Sequence, residues 1–408
     1  MKLTMRKVVM TVSLAAAASC LAGISRAENL LLPNQARVEN AAVAKIQFTS
    51  IGNAKYELSE EPKPPEGSRS LGVRHGGSKG SEYGVSTIVS TKQRTYLYEK
   101  KDASEADKVS FESTPFPAGP YTFSVSCAGE GYVTLGMSTD TQEGDCQDFE
   151  ITTKKWSRLA VTLTAKKPFT EITLFATADT APGYRTYFFL DQLQLEKGDK
   201  ATEFNAPPLR KERPAITGDS FLPKANERIV CLGDSMTDWT PGYVAVLRER
   251  VAAKYPDLRL SVIRRGVGGN FYSTLLARAP KDVVALEPDW VLINAGLNDA
   301  GHKIPIEETR KSLESLVKLL RDSTMAQLVL IEASPFSGPA DNDLNKRLSP
   351  INQVVREVAK QNNLLLVPLE DVIRKAEAKG ERIYYNNPHF NQSGFAIMAD
   401  SILSAMNY

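Results

Sequence analysis

Three histidines, a serine set between glycine and aspartate, and a few cysteines bear most of the chemistry open to this 408-residue chain. Ser235 ends Gly233-Asp234-Ser235. A serine hydroxyl attacks a carbonyl well only when a base takes its proton, so each histidine is a base candidate. His75 lies in a Gly-rich stretch. His302 follows Gly296-Leu297-Asn298-Asp299 by three residues, and His389 closes Asn386-Asn387-Pro388-His389. The attacked carbonyl becomes an oxyanion, and that charge needs donors arranged beforehand. Gly269-Asn270 and Asn298 are residue types that can donate, although glycines also serve turns of positive φ and Asn298 could equally cap a helix. The number and spacing of the cysteines fit no zinc pattern.

Residues so far apart in sequence meet only if strand ends bring them together. From Glu227 onward, short apolar runs (Arg228 to Leu232, Leu260 to Ile263, Trp290 to Ile293, Leu328 to Ile331, Leu364 to Val367) alternate with helical spacing. Tyr243, Val244, Leu247 and Val251 repeat at that spacing, as do Leu313, Leu316, Val317 and Leu320, and Ile351, Val354, Val355 and Val358. The pattern predicts a doubly wound parallel sheet of about five strands with helices on both faces. Ser235, Gly269, Asn298 and His389 each follow a strand or precede the last helix, so they converge on the carboxyl edge. Cys231 sits inside a strand and reads as core.

The first half of the chain has period two instead. Tyr121 to Cys127 alternates apolar with small polar residues, as do Leu159 to Leu163 and Leu193 to Leu195. Gly- and Pro-rich breaks separate these runs and no long amphipathic helix is evident, which predicts a β-sandwich over 28–206. Residues 207–224, punctuated by prolines, read as a linker to a second domain at 225–408. Cys127 and Cys146 share the first domain and either bridge or are two small buried side chains.

Lys2, Arg6 and Lys7 precede an apolar run that ends in Ser25-Arg26-Ala27, the pattern of a secretory signal peptide over 1–27. Cys20 lacks the leucine three places earlier that a lipoprotein site usually has, so lipoprotein anchoring there is the lesser alternative to a secreted or periplasmic protein whose mature chain has no transmembrane segment. Fifty basic and 48 acidic residues give a net charge of +2 without a basic run, which speaks against nucleic acid.

The four blocks, in this order and each after the right strand, resemble the SGNH/GDSL hydrolases from Arg228 to the C-terminus. The resemblance implies a flavodoxin-like three-layer fold and a serine esterase with Ser235 as nucleophile and His389 as base. It further implies an oxyanion hole of the Ser235 and Gly269 N–H groups and the Asn298 amide. Asp234 and Asp299 would brace the loops. The family's acid, three residues before the histidine, is Asn386 here. Asn386 can orient the imidazole but supplies no charge. A Ser235–His389 dyad oriented by Asn386 or a backbone carbonyl is the expected arrangement, with a carboxylate such as Glu370 or Asp371, or decay into a silent glycan-binding protein, as alternatives.

The sandwich resembles carbohydrate-binding jelly-roll modules through Asp191-Gln-Leu-Gln-Leu-Glu-Lys-Gly198. Tyr56, Tyr83, Tyr98, Tyr132, Trp156 and Tyr184 are the ring candidates for sugar, and similar modules often hold a structural calcium. Together the resemblances imply removal of acyl, chiefly acetyl, groups from an acylated poly- or oligosaccharide without a catalytic metal or cofactor. A lipase or aryl esterase and an O-acyltransferase are the rival activities.

Overall fold

In the computed structural model the described residues are 29–65, 67–76, 82–91, 93–96, 109–112, 115–152, 155–179, 187–205, 224–258 and 260–408. The signal-peptide segment, most of the linker, Tyr98 and Tyr184 lie outside them.

The first half is antiparallel β structure built around one strand. Strand β7 (Gly119–Thr139) runs for 21 residues. Its first part pairs with β9 (Ser157–Ala165) and β11 (Tyr187–Lys197). Its second part pairs with β8 (Gly144–Ile151) and β10 (Glu171–Asp179). One sheet continues from β11 to β3 (Ser70–His75) and β2 (Ala54–Ser59), the other from β10 to β4 (Glu82–Ser90) and β1 (Phe48–Gly52). A two-stranded ribbon, β5 (Gln93–Tyr96) with β6 (Val109–Glu112), forms a separate sheet. Alternate residues such as Tyr121, Phe123 and Val125 are buried with Leu159, Val161 and Leu195 in one apolar core. The expected all-β class is what these residues form, because period-two alternation gives each sheet one face to bury.

Short helices α1 (Pro33–Arg37) and α2 (Ala41–Gln47) precede β1. At five and seven residues they are too short to leave a legible helical period. Val43 of α2 packs into the core of the second unit. Glu287 of that unit accepts the Asn34 N–H at 2.8 Å and the Gln47 amide at 2.8 Å. The N-terminal segment is therefore fastened to both units.

Cys127 and Cys146 are not bonded to one another. Cys146 pairs with Gly136, nine residues beyond Cys127 along β7, or about 30 Å of strand. A disulfide tolerates only about 7 Å between Cα atoms. Burial pushes the Cys127 thiol up to about 12, and the same holds for Cys231, so both stay protonated core side chains.

The second unit is a five-stranded parallel sheet in the order β13-β12-β14-β15-β16: Ser261–Gly266, Arg228–Gly233, Trp290–Asn294, Gln327–Ile331 and Leu365–Val367. Its middle strands β14 and β15 are buried throughout, as a parallel sheet covered on both faces requires. Helices α4 (Tyr243–Lys254), α5 (Tyr272–Asp282), α7 (Ile306–Ser323), α8 (Asp343–Gln361), α9 (Leu369–Ala378) and α10 (Gln392–Met406) cover it. Two short helices, α3 (Ser235–Asp238) and α6 (Leu297–Gly301), sit at the strand ends. Among the described residues no helix is long and apolar enough to cross a membrane. No group of three His, Cys, Asp or Glu side chains among them is placed to hold a metal.

Candidate active site

The carboxyl ends of β12, β13 and β14 and the loop before α10 form the site. Asp234 caps α3: its carboxylate accepts the Met236 N–H at 2.9 Å, which fixes the turn that presents Ser235 as the first helical residue. The turn lies tight against β13. A Cβ on Gly266 would stand 2.1 Å from the Asp238 nitrogen, so only glycine permits the approach. Asp238, three residues after the serine, accepts the Gly268 N–H at 3.1 Å and ties α3 to the glycine loop.

His389 reaches this turn from the far end of the domain. Its Nε2 lies 2.9 Å from Ser235 Oγ, and its Nδ1 lies 2.8 Å from Asn386 Oδ1. With Nδ1 donating to the amide oxygen, Nε2 presents a lone pair to the serine hydroxyl. Trp239 stacks on the imidazole, with ring centroids 4.6 Å apart and planes 32° apart. That burial pushes His389 down to about 4, and the neutral Asn386 supplies no opposing charge. The imidazole is therefore a neutral base through the whole physiological range.

Gly269 has φ +76°, and nothing lies within 4 Å of where its Cβ would be. The glycine is required by backbone conformation, not by crowding. Among the described residues no acceptor takes the N–H of Ser235 or of Gly269. The Asn298 amide donates one hydrogen to the Asn270 carbonyl at 3.0 Å and keeps a second. These donors lie on three loops at the carboxyl edge of the sheet.

Asp299 accepts from the Thr309 hydroxyl at 3.3 Å. Burial pushes Asp234 up to about 7 and Asp299 up to about 6. His302 is exposed, with Nδ1 3.1 Å from the Asn298 carbonyl of its own turn and its ring edge-on to Phe271. His75 lies in the β unit against Tyr83. Glu370 is bound elsewhere, to Asn352 at 2.9 Å and Arg356 at 3.3 Å. Trp239, Asp238 and Arg278 belong to no motif, and nothing in the sequence singles out Trp239 or Arg278. Asp238 alone leaves a faint signal in its three-residue helical spacing from Ser235.

The profile of the GDSL-like lipase/acylhydrolase family matches residues 231–397, a span that holds Ser235, Gly269, Asn298, Asn386 and His389. Residues 231–397 form an acylhydrolase domain of that family. The chain is 24% identical over 210 residues to an acetylxylan esterase of Geobacillus stearothermophilus, covering 45% of this chain and 95% of that protein. It is 28% identical to an arylesterase of Vibrio mimicus, covering 39% and 79%. It is 26% identical to an acetylxylan esterase of Xylanibacter ruminicola, covering 57% and 51%. A crystal structure of the Geobacillus enzyme aligns at 25% identity and a TM-score of 0.42, over 45% of this chain and 96% of that one. The acylhydrolase domain thus makes this protein a carboxylic ester hydrolase, with the family's aspartate position taken by Asn386.

Proposed function

We propose that the protein is a secreted esterase that removes acetyl groups from an acetylated poly- or oligosaccharide through an acyl-Ser235 intermediate. The observation that carries this reading is the unbroken line Ser235 Oγ, His389 Nε2, His389 Nδ1, Asn386 Oδ1, at 2.9 and 2.8 Å. Ser235 Oγ attacks the ester carbonyl while its proton passes to His389. The carbonyl π pair moves onto oxygen, where the N–H groups of Ser235 and Gly269 and the Asn298 amide hold it. Collapse breaks the ester C–O bond, and His389 returns the proton to the departing sugar oxygen. Water then attacks the acyl-serine by the same route, releasing acetate and restoring Ser235. The proposed chemistry calls on no metal or organic cofactor. Asn386 orients the imidazole and contributes no charge to the imidazolium.

The sugar substrate is supported by the two relatives named as acetylxylan esterases and by the β unit's resemblance to carbohydrate-binding jelly rolls. In that unit Tyr132, 61% exposed, is the most open of the candidate rings among the described residues, whereas Tyr83 is fully buried. Export through residues 1–27 and a domain division near 206 and 225 belong to the same proposal.

The test is hydrolysis of p-nitrophenyl acetate and of acetylated xylooligosaccharide by the mature chain and by Ser235→Ala. We expect both activities in the wild type and a loss of at least about 10³-fold in the variant, which still folds. An active Ser235→Ala would overturn the mechanism. A preference for longer acyl or aryl esters, with no sugar deacetylation, would overturn the substrate.

A further inference from the structure

The three proposed oxyanion donors come from different loops, and a developing charge is stabilised only if they hold their places to within a few tenths of an ångström. Few backbone bonds join these loops. Val267 N–H donates to Gly233 O at 3.0 Å and Asp234 N–H to Asn294 O at 3.3 Å, and Gly268 N–H donates to the Asp238 carboxylate. A single side chain supplies much of the rest. Arg278, in the second turn of α5 and 17% exposed, donates through Nη2 to the Gly233 carbonyl at 2.7 Å. Through Nε it donates to Asn270 Oδ1 at 2.8 Å. Its Nη1 is held by Asp282, one turn further on, at 2.7 Å.

Both contacts fall next to the reacting groups. Gly233 is two residues before Ser235, and Asn270 directly follows Gly269. Asn270 is also gripped from its other side, where its carbonyl accepts the Asn298 amide. The planar guanidinium therefore sets the spacing between the nucleophile strand and the loop that carries one oxyanion donor and anchors another. A lysine ammonium is a point charge and cannot span two acceptors at fixed angles in this way.

We infer that Arg278 is a positioning residue for the oxyanion hole, acting through Gly233 and Asn270 and locked in place by Asp282. The inference rests on the proposed serine mechanism and deepens it. Arg278 touches no substrate and moves no proton. Its loss leaves Ser235 and His389 in contact while the Gly269 and Asn298 donors drift from the position of the oxyanion.

The experiment measures p-nitrophenyl acetate hydrolysis against pH, with thermal melting, for the full mature chain carrying Arg278→Ala, Arg278→Lys or Asn270→Ala. We expect kcat to fall about 10- to 100-fold in Arg278→Ala, within the range of a misplaced oxyanion donor, with KM nearly constant. The acidic limb set by His389 should not move. Arg278→Lys should not restore the rate, while about 20 mM guanidinium ion should restore part of it in Arg278→Ala, and sodium chloride should not. Asn270→Ala cuts one of the same bonds without touching the carbonyl that Asn298 uses. It should show a smaller fall in kcat, and the double variant should be no slower than Arg278→Ala.

A folded Arg278→Ala with wild-type kcat, a change confined to KM, or a displaced acidic limb would overturn the inference. If Arg278→Ala does not fold, wild-type kcat in Asn270→Ala overturns it instead. Ser235→Ala separates the two claims: an active serine variant sinks the mechanism itself. A dead serine variant beside a fully active Arg278→Ala sinks only the positioning role.

Discussion

In the α/β unit, Gly233, Gly266 and Asn294 end neighbouring parallel strands at one edge, and the loops beyond them carry Ser235, Gly269 and Asn298. The antiparallel unit is as rich in hydroxyl, amide and carboxylate groups, yet spends them differently. Thr122 and Thr162, directly opposed on β7 and β9, share a bond of 2.8 Å. Ser126 bonds Gln192 at 2.7 Å, and the buried Glu196 is saturated by Gln194 and Thr202. Parallel strands all stop at the same side, so their loops gather there with N–H groups unspent. Antiparallel strands turn back at both ends and set polar residues against cross-strand partners. The same residue types thus become reagents in one unit and fasteners in the other.

That contrast can be broken by substitution. The largest effect is expected at Asn298. Asn298→Ala removes one proposed oxyanion donor and should lower kcat about 10²- to 10³-fold with little change in melting temperature. A near-normal kcat would leave the strand-end loops without their assigned electrostatic task.

Asn386→Asp tests the neutral orienter. The base form of His389 is the unprotonated imidazole, and its lowered pKa of about 4 keeps it active well below the ordinary histidine range. A carboxylate on Nδ1 favours the protonated form and raises the pKa. The acidic limb of kcat/KM should then move upward: a rise of one unit leaves about half of the pH 8 activity at pH 5, and a rise of two units about a tenth. An unmoved limb would mean that Asn386 is not the group facing the imidazole during turnover.

Thr162→Val gives the smallest effect. Thr122 keeps its bond to the Gly198 carbonyl, so the lost partner should cost about 1 kcal/mol in denaturant unfolding of the β unit, with kcat on the small ester unchanged. A change in kcat there would blur the division between the units.

Much of the site is legible in the order of residues alone. Ser235, Gly269, Asn298 and His389 each sit in a short contiguous block beside a strand or helix boundary, and boundaries are what hydrophobic period reveals. Arg278 is one charged residue on an amphipathic helix, indistinguishable in sequence from its solvated neighbours. Trp239 looks like any core aromatic. The two small helices that fasten the N-terminal segment through Glu287 fall below the length at which a period can be counted. The separation of Cys127 from Cys146 needed β7 to be one strand of 21 residues, whereas the alternation showed only its first part.

By itself, the chain's order of apolar and polar residues determined two architectures and the edge at which chemistry gathers, because those depend on local period and on the rule that parallel strands end together; the resemblance of its motifs, not the period, singled out Ser235 and His389. Tertiary structure chose Asn386, the expected orienter, over the alternative carboxylates, and it alone decided that Trp239 shields the imidazole and that one guanidinium braces two loops. Those outcomes depend on distances between side chains far apart in sequence, and no local pattern encodes such distances.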